Sequence, residues 1–314
     1  MDIHEKLRMF LSAEPARRIA LLTPLECKKI TEVRLRAGKP MLVRLARQEY
    51  AFSEHGKTAP ASPGAYCPTA TDIAETIERI SQYSFYAFEP ELCMGYITLP
   101  GGHRVGVSGQ AVIEDGTVRA WRHIGSINFR VAHAVKGCAD GVLPFLFEAG
   151  RVMHTMIISP PGCGKTTLLR DILRQISDGG HGRDGLTVGL VDERSEVAGC
   201  FRGVPQNDIG LRTDVLDGCP KAEGMVMLLR AMSPDVIAVD ELGGRGDAEA
   251  AHAALTAGVK LLCTAHGSGI DDVKKNPILG ALIGGRIFKR YIVLSAPGRA
   301  VVLDEEGVEV CCQA

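Results

Sequence analysis

The sequence predicts an α/β protein in which a mostly parallel sheet domain follows a smaller α+β domain. From residue 150 onward, short apolar runs alternate with helical stretches, as strands and helices do when helices cover both faces of a parallel sheet. Before that point, alternating strand patterns and glycine-rich turns prevail. A chain of 314 residues is long enough for two such domains, and we place them at 1–148 and 149–314.

The first domain begins with a helical spacing of apolar residues over 2–22. Residues 53–68 are rich in Ser, Gly, Pro and Ala, which is typical of a loose loop. A hairpin is predicted over 95–109, with its turn at Pro100-Gly-Gly102. The remaining elements are a helix at 71–83 and strands at 31–36, 41–45, 111–113 and 127–131.

The second domain follows a regular alternation of strands and helices. Its predicted strands are 154–159, 186–191, 236–240, 259–264 and 290–294, with helices at 166–177, 221–232 and 247–257. A terminal hairpin is predicted from residues 290–295 and 299–304, which Ala-Pro-Gly joins. This alternation predicts a mostly parallel sheet.

A glycine-rich segment, Ser159-Pro-Pro-Gly-Cys-Gly-Lys-Thr-Thr167, lies between the first of these strands and the first helix. This context is typical of a phosphate-binding loop (P-loop), since backbone N–H groups and the helix N-terminus can surround phosphates. Lys165 would contact the β and γ phosphates of ATP, and the Thr166 hydroxyl would bind Mg²⁺. Ser159 stands where the usual pattern has Gly, but the segment still predicts a P-loop NTPase domain of RecA/AAA-like fold. The predicted nucleotide-binding residues are Ser159, Pro160, Pro161, Gly162, Cys163, Gly164, Lys165, Thr166 and Thr167.

A pair of acids ends a later apolar strand. Val236-Ile-Ala-Val runs directly into Asp240 and Glu241. The carboxyl ends of parallel strands are where ligands bind in such sheets. We therefore expect Asp240 to hold Mg²⁺ and Glu241 to act on the attacking water, as general base or as orienter.

Two further strands also end in chemically active residues. One strand runs into Asp192, Glu193 and Glu196, although a solvated loop would have the same composition. The other precedes His266, and a lone histidine is more often structural than catalytic. Its place beside the other strand ends suits it to sense the γ-phosphate or to hold the loop of Asp240 and Glu241.

Taken in order, these four elements resemble those of the type II/IV secretion ATPase superfamily, which has a P-loop, an acidic box, a second acidic strand and a histidine box. That superfamily usually has Gly before its catalytic Glu, whereas this chain has Asp240. Both Glu193 and Glu241 therefore remain candidates for activating water. A closer resemblance, over nearly the whole chain, is to the stage III AA family of sporulation proteins of endospore-forming bacteria. It includes Glu32-Val-Arg-Leu-Arg36, the Gly95–Gly109 hairpin and Ser126-Ile-Asn-Phe-Arg130.

The resemblance implies an ATPase that energises a secretion-like channel complex during endospore formation. Such ATPases are typically hexameric rings with nucleotide between subunits, and their partners are membrane-embedded channel proteins. The resemblance also implies a place on the mother-cell side, at the forespore outer membrane. Arginines of the first domain would reach the nucleotide, although for each one taken singly a solvated strand face is the more frequent role. Arg104 is the first candidate, followed by Arg119, Arg122 and Arg130.

Composition restricts the alternatives. No apolar run approaches the roughly 20 residues that span a bilayer, and the first residues lack the pattern of a signal peptide. We therefore expect a cytoplasmic protein with at most peripheral membrane association. The alternative function is a nucleic-acid-dependent P-loop ATPase. A net charge of −1 and an aromatic content of 5% disfavour a nucleic-acid partner, since neither electrostatic attraction nor base stacking is well supplied. A third alternative is a degenerate nucleotide-binding scaffold, and four intact residues argue against it: Lys165, Thr166, Asp240 and Glu241.

Overall fold

The structure is a computed structural model that describes residues 3–82, 92–93, 95–133, 135–180 and 182–313. The chain divides into two compact units, Met1–His133 and Ala134–Ala314. The second unit begins earlier than the predicted boundary at 148 because residues 139–146 pack into its core. The buried residues of this segment are Ala139, Val142, Leu143 and Leu146.

The first unit has four helices and seven strands in its described residues. The helices are α1 (Ile3–Phe10), α2 (Ala13–Ile19), α3 (Pro24–Cys27) and α4 (Ala70–Ile80). The strands are β1 (Ile30–Arg36), β2 (Lys39–Leu45), β3 (Gln48–Ser53), β4 (Gly56–Thr58), β5 (Tyr96–Leu99), β6 (His103–Glu114) and β7 (Thr117–Arg130).

One antiparallel sheet organises this unit, with strand order β4-β3-β2-β1-β7-β6-β5. The helical pattern over 2–22 forms two helices rather than one, because Ser12 is extended (ψ 169°) and its N–H donates to Thr76 Oγ1. Residue 83, the last of the predicted helix 71–83, lies outside the described residues. The loop predicted at 53–68 contains the short strand β4.

The hairpin of β6 and β7 is longer than the sequence pattern predicts. The strands predicted at 111–113 and 127–131 are segments of these two strands, which pair from Arg104 with Arg130 to Glu114 with Thr117. The outer part of the hairpin is largely exposed on both faces, so it lacks the alternation that marks a strand with one buried face.

The second unit begins with a 3₁₀ turn at Leu143–Leu146 and a short pair of strands, β8 (Phe147–Glu148) and β9 (Arg151–Val152). Its main strands are β10 (Thr155–Ser159), β11 (Val188–Asp192), β12 (Thr213–Asp217), β13 (Val236–Val239), β14 (Lys260–His266), β15 (Arg290–Ala296), β16 (Arg299–Leu303) and β17 (Glu309–Gln313). Its helices are α5 (Lys165–Asp178), α6 (Lys221–Ala231), α7 (Arg245–Thr256), α8 (Ile270–Val273) and α9 (Pro277–Gly284).

The main strands form one sheet of order β12-β11-β13-β14-β10-β15-β16-β17. Pairing is parallel from β12 to β15 and antiparallel for the last two strands. Alternate residues of the strands enter two buried clusters: Ile157 packs with α5, and Ile158 packs with α6 and α7. The sheet therefore has helices on both faces, which confirms the predicted α/β class. β12 was not predicted because it is an edge strand without a buried apolar run.

The register brings the carboxyl ends of the parallel strands to one edge of this sheet. Ser159 lies opposite His266, Val239 lies opposite Cys263, and Val191 lies opposite Val239. The residues that directly follow these strands therefore lie at the same edge of the sheet. In the part of the chain that the structure describes, no helix is both long and apolar enough to cross a bilayer.

A buried aspartate in α5 holds the start of the second unit in place. Asp171 is 3% exposed, and its Oδ2 accepts the N–H of Ala139 at 2.9 Å while its Oδ1 accepts Arg174 Nη2 at 2.8 Å. Burial raises the pKa of Asp171, but the hydrogen bonds from Ala139, Arg174 and Gln175 outweigh it, so the pKa lies below its ordinary value.

We expect Asp171→Ala to lower the free energy of unfolding by about 2 kcal/mol at pH 7, since hydrogen bonds to a buried charge are lost. Because the folded-state pKa is depressed, this stabilisation is complete above the unfolded pKa near ~3.9 and disappears as pH falls through the folded value. Urea unfolding at pH 7 and pH 3 measures it. The control is Asp178→Ala, which removes a longer ion pair to Arg174 (3.6 Å) and one hydrogen bond from the Leu211 N–H, at a carboxylate that is not buried. An equal loss in both variants would contradict the assignment.

Candidate functional site

The P-loop connects buried β10 to α5. Ser159, the last residue of β10, is buried, and its Oγ donates to the carbonyl of Pro160 at 2.9 Å. Gly162 (φ 78°) and Gly164 (φ 90°) are in the left-handed region, which glycine adopts without strain. Gly164 is also the N-cap of α5 and offers no side chain to cap it. The free backbone N–H groups at the start of this helix are thus suited to donate hydrogen bonds to a bound anion.

Lys165, the first residue of α5, lies against the second acidic strand. Its side chain is 6% exposed, and Nζ lies 3.4 Å from Glu241 Oε1 and 3.4 Å from His266 Nε2. The next residue, Thr166, donates its hydroxyl to Asp240 Oδ2 at 3.0 Å. Three elements that are far apart in the sequence thus meet at the sheet edge, where Lys165 and Thr166 each face one acid.

Glu241 contacts two further side chains besides Lys165. His266 Nε2 lies 2.7 Å from Oε1, and Arg194 Nη1 donates to Oε2 at 2.7 Å. Burial raises the pKa of Glu241, but the hydrogen bond from His266 and the charges of Lys165 and Arg194 outweigh it. The pKa of Glu241 consequently lies below its ordinary value, and the group is an anion at neutral pH.

The acidic box after β11 has two different roles in the structure. Asp192 is buried and accepts the N–H groups of Glu196 and Ala198 at 2.9 and 2.8 Å, which closes the loop behind it. Burial raises its pKa above the ordinary value. Glu193 forms an ion pair with Lys221. Both acids line one small cleft with Asp240 and Glu241.

Other predicted residues lie around this centre or in the other unit. Cys163 is partly exposed in the P-loop, with its Sγ 3.7 Å from the carbonyl of Ser295. Arg104 lies on β6 of the first unit, where its guanidinium stacks on the ring of Tyr96 at 3.9 Å. Whether Arg104 reaches a nucleotide stays a prediction, as it does for the arginines at 119, 122 and 130 on β7.

Sequence reasoning missed two residues of the site. Thr264, fully buried on β14, bonds to both Asp240 and the backbone of Glu241. A polar residue inside the apolar run of 261–265 was the available signal, because a buried hydroxyl needs partners. Arg194 pairs with Glu241, and its signal was a cation within the acidic box.

The donor set fits a magnesium ion. Mg²⁺ prefers oxygen ligands and is usually held by one or two protein groups together with phosphate oxygens and water. The Thr166 hydroxyl and the Asp240 carboxylate lie 3.0 Å apart beside the P-loop, and both present oxygen. No nitrogen or sulfur ligand is needed for such a site.

Comparison with known proteins identifies the family. The family model described as "Sporulation stage III, protein AA" matches residues 1–309. The chain belongs to this sporulation family. Stage III sporulation protein AA of Bacillus subtilis (strain 168) is 43% identical over 284 residues, which cover 89% of this chain and 88% of that protein. The similarity to this relative thus extends over most of both chains.

A second curated relative covers only part of the chain. SEEDLING PLASTID DEVELOPMENT 1 of Arabidopsis thaliana is 35% identical over 158 residues, which are 50% of this chain and 22% of that protein. Sequences related to this sporulation family therefore also occur within a longer plant protein.

Solved structures support the fold of this sporulation family member. The ATPase DotB of Legionella pneumophila aligns with a TM-score of 0.57 at 18% identity, covering 92% of this chain and 77% of that one. The pilus retraction motor PilT with bound ADP aligns with a TM-score of 0.55 at 18% identity, covering 93% and 77%. At such low identity the likeness concerns the fold, a P-loop ATPase sheet preceded by a smaller domain.

Proposed function

We propose that this protein binds and hydrolyses ATP with Mg²⁺ and that the reaction energises a channel complex during endospore formation. The proposal rests on one observation: Lys165 and Thr166, adjacent at the start of α5, face Glu241 and Asp240 at 3.4 and 3.0 Å. The Lys165 cation would bind a triphosphate on the P-loop, and Thr166 with Asp240 would hold its metal ion. The family and the fold of the solved ATPases agree with this function.

Each residue of the site has a role in that reaction. The N–H groups at the start of α5 and the Lys165 ammonium bind the β and γ phosphates, where negative charge is concentrated. Thr166 and Asp240 would hold Mg²⁺, and a bound Mg²⁺ would neutralise phosphate charge. His266, 3.4 Å from Lys165 Nζ and 2.7 Å from Glu241, keeps the lysine and the acid in a fixed relation.

Glu241 is our choice for activating water. Its lowered pKa keeps it ionised at neutral pH, so it is able to accept a proton or to orient the attacking water. Glu193 lies in the same cleft, but its carboxylate is engaged by Lys221. Lys165, His266 and Arg194 contact the Glu241 carboxylate and fix its direction. The Glu193 carboxylate pairs with Lys221 and not with the P-loop lysine.

We further propose that the active form is a homo-oligomeric ring, hexameric by analogy with secretion ATPases. In such a ring, Arg104 or another arginine of the first unit would complete the site. The partner would be a membrane-embedded channel protein, and the ATPase would act from the mother-cell cytoplasm as a peripheral component. Nucleic acid is not part of this proposal.

ATP turnover measured against protein concentration tests this function. We expect phosphate release per subunit to rise steeply with concentration, because a site shared between subunits forms only in the assembled state. Adding single-stranded DNA or RNA should leave the rate unchanged. A rate per subunit that is constant with dilution would contradict the shared site, and strong stimulation by nucleic acid would favour the alternative ATPase class.

A further inference from the structure

One buried hydroxyl links the two acids of the site. Thr264 lies on β14, the strand between the P-loop strand β10 and the acidic strand β13. Its Oγ1 donates to Asp240 Oδ1 and accepts the backbone N–H of Glu241 at 2.8 Å. The hydroxyl thus donates a hydrogen bond to Asp240, the acid beside Thr166, and accepts one from Glu241, the residue that would activate water.

The backbone at Glu241 requires such support. Glu241 has φ of 59°, in the left-handed region that favours glycine over a residue with a side chain. Thr264 holds the segment at two points, since the N–H of Leu242 also donates to the Thr264 carbonyl at 2.9 Å. The chain therefore turns out of the sheet at 240–242 along β14, and this turn places the backbone from which the Glu241 side chain starts.

The Asp240 carboxylate is fixed in the same way between two hydroxyls. Oδ2 accepts from Thr166 of α5 at 3.0 Å, and Oδ1 accepts from Thr264 of β14. With both oxygens engaged, the carboxylate plane cannot rotate without losing a bond. Thr264 thus contacts both the acid that would hold Mg²⁺ and the backbone of the acid that would direct the water.

We infer that Thr264 is a positioning residue for ATP hydrolysis, acting through Asp240 and Glu241 rather than through the nucleotide. The inference rests on the proposed function and extends it to a residue on the central strand. Thr155 provides a contrast within the same sheet. It is equally buried on β10, but its Oγ1 donates to the carbonyl of Met153, two residues away in its own chain, and it touches neither acid.

The decisive variants are Thr264→Val, which keeps the shape and removes the hydroxyl, and Thr264→Ser, which keeps the hydroxyl. We expect Thr264→Val to lower kcat by about 10- to 100-fold, the range seen when groups that orient metal ligands are removed. KM for ATP should change by less than about 3-fold, since the P-loop itself is intact. Thr264→Ser and the matched control Thr155→Val should stay within about 3-fold of the wild-type kcat.

Two binding and exchange measurements separate positioning from general damage. The Mg²⁺ concentration that gives half of the thermal stabilisation by a non-hydrolysable ATP analogue should rise in Thr264→Val and not in Thr155→Val. Hydrogen exchange of the peptide that contains 240–242 should be faster in Thr264→Val even without nucleotide, because the N–H of Glu241 loses its acceptor. If Thr264→Val does not fold, Thr264→Ala serves the same comparisons.

A wild-type kcat in Thr264→Val, an equal loss in Thr155→Val, or failure of serine to restore activity would each overturn the inference. Failure of the proposed function gives a different result. In that case the wild-type chain would show no turnover that depends on Lys165, while the exchange of 240–242 would still report whether Thr264 holds the turn.

Discussion

Lys165→Ala is expected to abolish measurable ATP turnover and to weaken nucleotide binding by about 100-fold or more, since a preorganised cation facing phosphate charge is lost. The fold should tolerate the change. Glu241 keeps two partners, with Arg194 at 2.7 Å and His266 at 2.7 Å, so no carboxylate becomes unpaired. Binding of a fluorescent ATP analogue and phosphate release measure the two effects separately.

The control for this experiment is Lys275→Ala. Lys275 is an exposed lysine that pairs with Asp272 just beyond α8, outside the cleft of the acids. The Lys275→Ala variant should bind and hydrolyse ATP like the wild type. Turnover that persists in Lys165→Ala would remove the P-loop assignment, and with it the proposed function. Loss of activity in both variants would point to a general effect of charge.

The convergence at the sheet edge could be predicted from the sequence because two rules fix it. Apolar runs of strand length marked β10, β13 and β14, and parallel strands present their carboxyl ends at one edge. Residues directly after those runs, such as Asp240 and His266, had to come close to the P-loop whatever the details of packing. The strand pattern alone therefore groups Thr166 with Asp240, although 74 positions separate them in the chain.

The lateral order of strands could not be predicted in the same way. Nothing in the periodicity says that β14 lies between β10 and β13, and it is this order that brings Thr264 against both acids. The ion pair of Arg194 with Glu241 likewise depends on the path of the loop after β11. The full length of the β6–β7 hairpin could not be predicted for another reason. Its outer half has no buried face, so the alternation of apolar and polar residues is absent.

The end of the first unit also depended on tertiary packing. Residues 137–148 have no strong sequence signature, and their membership of the second unit follows from contacts to α5, such as the bond of Ala139 to Asp171. Sequence patterns indicate local secondary structure and which face of a helix or strand is buried. They do not report which distant helix a connecting segment packs against.

Glu241→Gln is expected to keep ATP binding and to lower kcat by about 100- to 10,000-fold, the usual contribution of a positioned acid–base group. The amide is nearly isosteric, and its carbonyl can still accept from His266 or Arg194, so the cleft should keep its shape. What is lost is the negative charge that accepts a proton from water or directs it. Wild-type activity should show no acid limb near neutral pH from this group, because the pKa of Glu241 lies below its ordinary value.

Glu193→Gln is the matched control, since it changes a carboxylate of the same cleft that is held by Lys221. We expect it to retain kcat within about 3-fold of the wild type. Single-turnover measurements with saturating protein separate the chemical step from product release in both variants. A wild-type rate in Glu241→Gln together with a slow Glu193→Gln would transfer the role to Glu193. In that outcome the water would approach from the side of α6, and the contacts of Glu241 with Lys165, His266 and Arg194 would serve to organise the P-loop rather than the attacking water.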